Sequence, residues 1–223
     1  ERRSYRFAHP LVREVLLDAT PAAERAEIHG ELADVLEDLY ASATGEHALE
    51  IAHHLVLAGG GVDQRRLLDY ARRAADQAFA ICAWHDAAHF YEAATRATDV
   101  QTPAELAELH FRAGLAASRD ISRESCRRHY ERSAELFARI GDDAGRARVG
   151  MLLLRDEITS AGAAYGQPVD RSALMELAMK LADAQPALGA LVLETLSEAC
   201  WTAGDAARIA ALGSFAEVAP HLD

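Results

Sequence analysis

No stretch of this sequence approaches the ~18 consecutive apolar residues of a bilayer-spanning helix, and no secretory signal opens it. Positive charge is also scarce: 23 Lys and Arg stand against 35 Asp and Glu, for a net charge of −12. A nucleic-acid surface needs a basic face to displace counterions from phosphates, so no nucleic-acid partner and no membrane are expected. Aromatic residues make up only 6% of the chain, and Lys180 is its single lysine. Cys82, Cys126 and Cys200 are odd in number, far apart and set in helical runs. They read as reduced core thiols of a cytoplasmic protein rather than as a disulfide framework. What is abundant is alanine, 48 of 223 residues. Alanine is the best helix former and a poor strand former, which excludes an all-β fold and points to an all-α one.

The punctuation of the chain agrees. Residues 4–8 (Ser-Tyr-Arg-Phe-Ala) alternate as a short strand would, and His9-Pro10 turns the chain into a helix carrying Leu11, Val12, Val15 and Leu16. Thr20-Pro21 reads as an N-cap followed by proline at N1, opening a helix to about Tyr40. Thr102-Pro103-Ala104-Glu105 adds a glutamate at N3 and so predicts a full capping box. Gly59-Gly60-Gly61 and Gly141 predict helix ends. One long irregular stretch, residues 159–170, is rich in Gly, Ala and Pro; the rest reads as paired helices. The chain opens on Glu1 and stops just after a helical stretch, as a piece of a longer protein would.

The helix pairs repeat. Ala48, Ala52 and Leu55, then Ala87, Tyr91 and Ala94, then Cys126, Tyr130 and Ser133 place small, ring-or-small and small-or-apolar residues at i, i+4 and i+7. Their starts are 39 residues apart both times. A weaker copy falls at Ile209, Gly213 and Ala216, with a further pair expected near 143–158 and 171–184. First helices echo the pattern at Leu32, Val35 and Leu39 and at Leu193, Leu196 and Cys200. Small residues at i and i+7 let two helices approach, and the ring at i+4 fills the groove. A fixed period carried by helix pairs predicts an α-solenoid of about five pairs, because each pair covers its apolar face only by stacking on a neighbour.

The pattern Ala-x3-Tyr-x2-Ala resembles the tetratricopeptide repeat (TPR), with Gly114 at that family's close-approach glycine when Cys126 takes its alanine position. Phe7-x-His9-x-Leu11-x-Arg13-x-x-Leu16, followed by Arg25-x-x-x-His29-x-x-x-Ala33, resembles the junction after the ATPase module of bacterial STAND-class signal-transduction ATPases, whose best-known members are large ATP-binding LuxR-type transcriptional regulators. The resemblance implies that residues 1–18 close a winged-helix subdomain as a strand-helix remnant and that residues 19–223 form the helical-repeat domain. It implies a sensor module that couples an unknown small-molecule effector or protein to its own ATPase domain, or alternatively the regulatory arm of a nucleotide cyclase or kinase. His9 matches the histidine that reaches the β-phosphate of bound ADP in related switches, although Pro10 follows it where the animal relatives carry Asp. The family's phosphate loop is absent from these 223 residues, so ATP or ADP is expected upstream and no cofactor here.

Candidate sites are few. His85 and His89 stand at i and i+4 around Asp86, but no third ligand follows, and the repeat register turns Tyr91 rather than His89 to the core. Cys82-x2-His85 and Cys126-x2-His129 have ligand-like spacing yet occupy non-equivalent helices, so core packing is the expectation. His53 and His54 are adjacent and point to different helix faces, so at most one joins Glu50. No nucleophile-base arrangement stands out, and no enzyme or metal site is expected. Arg123, Arg127, Arg128 and Arg132, interleaved with Glu124 and Glu131, read as a paired exposed helix face or as a charged docking face. The TPR register places Arg72, Phe79, Phe111, Arg119, Glu194, Glu198 and Trp201 on an inner recognition face.

Overall fold

The computed structural model describes residues 9–41, 44–159 and 168–204. Among them all regular structure is helical, with no strand: α1 (Pro10–Ala19), α2 (Ala22–Leu39), α3 (Ala48–Ala58), α4 (Gln64–Ala80), α5 (Trp84–Thr95), α6 (Pro103–Arg119), α7 (Arg123–Ile140), α8 (Asp143–Thr159), α9 (Arg171–Ala184) and α10 (Pro186–Thr202). The fold class is therefore all-α. The expected strand at residues 4–8 and the weak repeat copy at Ile209 lie outside the described residues. The chain divides into two compact units, one ending at Val100 and the other beginning at Gln101, a division that falls inside the region 19–223.

In the first unit α2 packs on α3, α3 on α4 and α4 on α5. The core is built largely of alanine, with Ala48, Ala52, Ala71, Ala74, Ala75, Ala87 and Ala94 all fully buried. Rings fill the grooves that such close helices leave, Tyr91 being 1% exposed. The first helix, α1, contributes nothing to this core: none of its residues is buried.

The hairpin α4–α5 recurs in the second unit as α6–α7. Asp63 caps α4 through the N–H groups of Arg65 and Arg66. Thr102, 39 residues later, caps α6 in a reciprocal box with Glu105. Both first helices are 17 residues long. Both end in the same Schellman turn: the Ala83 N–H donates to the Ala78 carbonyl at 2.9 Å, and the Ser122 N–H donates to the Ala117 carbonyl at 3.0 Å. The left-handed residue of that turn is Cys82 (φ 60°) in one and Ile121 (φ 62°) in the other. The three residue triplets that set the 39-residue period are all buried. Gly141, at φ 74°, closes α7 as its sequence position predicts.

The second unit adds α8 on α7 and gathers α8, α9 and α10 around Met151, Leu154, Leu174, Leu181, Val192 and Leu196. Helices near 143–158 and 171–184 are present as expected, but α9 packs chiefly on α10 rather than on α8. The reason is a close crossing at Gly189, where a Cβ would stand 3.2 Å from the Ala182 backbone.

Three local expectations are corrected. Thr20 does not cap α2, which starts after Pro21 without a side-chain cap; its hydroxyl donates back to the Leu16 carbonyl and closes α1. Leu32, Val35 and Leu39 are exposed, because α2 meets α3 along the small-residue stripe of Ala26, Gly30 and Ala33 instead. Cys82 is exposed in the turn after α4 and is not a core thiol; only Cys126 and Cys200 are buried.

Candidate functional site

The second unit holds a group of charges around one buried arginine. Arg127 sits on the core side of α7, beside Cys126, and is 6% exposed. Its Nε donates to Glu131 at 2.9 Å, one helical turn on. Its terminal nitrogens face Glu157 at 3.6 Å and Asp156 at 4.0 Å on α8. Glu157 in turn accepts the Val169 N–H at 2.7 Å, which ties the approach to α9 into the same network. Arg127, Glu131, Glu135 and Arg146 line a cleft of about 430 Å³ whose apolar wall is Leu153, Leu174 and Leu177 and whose edge is Pro168–Asp170. The cleft lies where the expected irregular stretch 159–170 ends; residues 160–167 are outside the described set.

The basic stretch of α7 is thus not one uniform exposed face. Arg128 and Arg132 are on the surface, with Arg132 paired to Glu135 at 2.8 Å, while Arg127 is buried. Cys126 next to it carries a thiol pushed up to about 12 by burial, with Asp156 adding to the shift, so it stays protonated and is no nucleophile.

The residues of the expected inner face fall into two groups. Arg72, Arg119, Glu194, Glu198 and Trp201 are exposed, and the last three share one face of α10 at i, i+4 and i+7. Trp201 is 75% exposed. Phe79 and Phe111 are half-buried and packed within their own units. Phe79 stands edge-on to Trp84 with ring centres 4.9 Å apart, and Phe111 lies under the Arg148 guanidinium at 4.9 Å. His9 caps α1, its Nδ1 accepting the Leu11 N–H at 3.2 Å.

Two histidine pairs span helix hairpins, and neither was visible in the spacing because their members are 25 and 19 residues apart. His29 and His54 bring their Nδ1 atoms to 2.8 Å between α2 and α3. His110 and His129 bring theirs to 2.9 Å between α6 and α7. Burial lowers both His29 and His54, with neighbouring His53 adding to each, Arg25 adding at His29 and Glu50 opposing at His54. His85 and His89 are exposed on α5. Among the described residues no group of three or more His, Cys, Asp or Glu is placed to hold a metal ion, and no helix is long and apolar enough to cross a membrane. Comparison with family models, with curated proteins and with solved structures finds no match to this chain.

Proposed function

We propose that this chain is a non-catalytic interaction module, a TPR-like α-solenoid that serves as the sensor arm of a multidomain bacterial transcriptional regulator of the STAND class. One observation carries the repeat reading: both helix starts, the length of the first helix, the Schellman turn and the buried triplet of α4–α5 recur 39 residues later in α6–α7. A bundle assembled from unrelated helices has no reason to repeat its caps and turns in step with its core. The regulator reading rests on the resemblance of the His9-to-Ala33 segment. In that setting α1, whose Leu11, Val15 and Leu16 are all more than half exposed, is the surface that docks on the ATPase domain. An effector bound by the repeats then shifts the switch by preferring one arrangement of arm and ATPase over the other.

Two experiments test this. Sequencing the coding DNA on both sides of the chain is expected to reveal a phosphate-loop ATPase upstream and a helix-turn-helix output domain downstream. A start codon directly before Glu1 and a stop directly after Asp223 overturn the regulator reading. In the full-length protein, Trp201→Ala with Glu194→Gln removes exposed groups without touching the core, and is expected to blunt the effector response. An unchanged response excludes the α10 face as the recognition surface.

A further inference from the structure

The outward side of α2 is patterned, and the packing of the first unit leaves it uncovered. Ile28, Leu32, Val35 and Leu39 follow one another at spacings of four, three and four residues. That is the spacing of the seam along which two helices interlock. The four are between 39% and 59% exposed, because α3 is met by Ala26, Gly30 and Ala33 on another side of the helix. The stripe runs for about 17 Å, three helical turns. Surface leucines scattered singly need no account, but an unbroken row at seam spacing is a contact face.

A row of carboxylates borders the stripe. Glu24, Glu31 and Asp38 stand seven residues apart, each three or four positions from Ile28 or Val35 and so on one flank. All three are exposed, and among the described residues no ion pair or hydrogen bond engages their side chains. The carboxylates nearer the core are treated differently: Asp34 and Glu37 are held by Arg66 of α4 at 2.6 and 2.9 Å. Arg25, the one arginine of α2, is turned to α1, where it donates to the Leu17 carbonyl at 2.6 Å. The fold thus neutralises the carboxylates that face α4 and leaves the three beside the apolar row without a countercharge.

We propose that this face binds a basic amphipathic helix, whose apolar seam lies along Ile28, Leu32, Val35 and Leu39 and whose lysine or arginine row meets Glu24, Glu31 and Asp38. Charge selects this occupant over the others. A second copy packed antiparallel sets the acidic row against itself. Packed parallel, it sets that row against Leu36 and against His29, whose Nδ1 is already taken up by His54. An anionic lipid surface is repelled by the row and by the chain's net charge of −12. Cations seven residues apart on a partner helix are the complement in either direction. At three turns the contact is smaller than a standard interface, which suits a transient helical partner rather than a permanent subunit. Neither α1 nor α10, the surfaces invoked for the regulator, takes part in it.

The test uses the full chain and a fluorescein-labelled peptide of about 18 residues, five turns. The peptide carries leucine at the seam spacing, lysine at every seventh position along one edge, and alanine and glutamine elsewhere. Its counterpart has glutamate in place of lysine. The lysine peptide is expected to bind saturably by fluorescence anisotropy, less tightly as salt rises, with amide shifts confined to residues 24–39; the glutamate peptide is expected not to bind. Leu32→Gln with Val35→Gln is expected to weaken the lysine peptide at least about tenfold. Both side chains are exposed, so the melting temperature should hold. Glu31→Gln with Asp38→Asn leaves the stripe intact and is expected to weaken the lysine peptide about threefold and flatten its salt dependence. Several results overturn the proposal: binding that does not saturate, equal binding of the glutamate peptide, shifts centred outside α2, or unchanged affinity in either double variant. So does a chain that sediments as a dimer by itself and becomes monomeric in Leu32→Gln with Val35→Gln, since the occupant is then a second copy.

Discussion

Gly114 lies flat against the ring of Tyr130: a Cβ at position 114 would stand 2.5 Å from the ring's Cδ1 and 2.6 Å from its Cε1. The ring is fully packed and has nowhere to retreat, so Gly114→Ala drives it out of its groove. The expected cost is about 1–3 kcal/mol, the range for overpacking a filled core. Gly145→Ala should behave alike, since its Cβ would meet Phe137 at 2.5 Å. Gly30→Ala is the opposite case, with Ala58 Cβ at an ordinary 3.9 Å. There the better helix propensity prevails and stability should rise by up to about 1 kcal/mol. Urea midpoints of the three variants decide the matter; equal effects would refute the close approach.

Ile121 occupies a left-handed conformation, φ 62°, with its side chain 83% exposed. A β-branched residue held there costs about 1–2 kcal/mol and recovers almost nothing by burial. Ile121→Gly is expected to stabilise the α6–α7 turn by about 1 kcal/mol, the relief being partly offset by the added freedom of the unfolded chain. Cys82→Gly, at φ 60° in the matching turn, should act in the same direction. Thermal melts of the two variants measure it, and a lowered midpoint in both would show that the turn is not strained.

What the sequence disclosed and what it hid divide along a physical line. Local rules were legible. The capping box of Thr102 and Glu105 formed as read, Gly141 ended α7, and the triplets around Ala48, Ala87 and Cys126 are buried. Each of these depends on residues within two turns of one another. Features that depend on which of two stripes wins a contact were not legible. Leu32, Val35 and Leu39 form the more apolar stripe of α2, yet Ala26, Gly30 and Ala33 let the backbones come closer and took the interface. Thr20 offered a cap to α2 and was used by α1, since its hydroxyl reaches back four residues. The histidine pairs and the burial of Arg127 arise between helices, and no spacing within one helix announces them.

The His29–His54 contact makes the α2–α3 hairpin acid-sensitive. Nδ1 atoms 2.8 Å apart share one proton, so a second proton between them breaks the contact. Both imidazoles sit below their ordinary value of 6.5 in the folded chain, chiefly through burial, and return to it on unfolding. As pH falls below 6.5 the unfolded state therefore binds more protons than the folded one. Stability is full above 6.5 and declines as the pH drops through the lowered folded values. Glu50 weakens the effect at His54; Arg25 and His53 strengthen it at His29. The melting temperature, followed from neutral into mildly acid solution, should fall in the wild type and fall less steeply in His54→Gln. Parallel slopes would count against the pair.

Arg127 is held by charge from three sides, and the balance of burial decides what its loss does. Its own side chain is 7% exposed, whereas Asp156 and Glu157 are about one-fifth exposed and Glu131 is 41% exposed. Replacing Arg127 by methionine keeps much of the volume but takes away the cation that Asp156 and Glu157 both face. Breaking a buried ion pair in this way costs about 3–5 kcal/mol, and water reaching the two carboxylates brings the expected loss to the lower end, near 3 kcal/mol. A second change should recover part of it. Glu157→Gln in the Arg127→Met background removes the charge that has lost its guanidinium and still offers the Val169 N–H an acceptor, so the double variant is expected to be more stable than the single one. A double-mutant cycle by urea unfolding measures this directly, and strictly additive effects would show that Arg127 and Glu157 do not act as a pair.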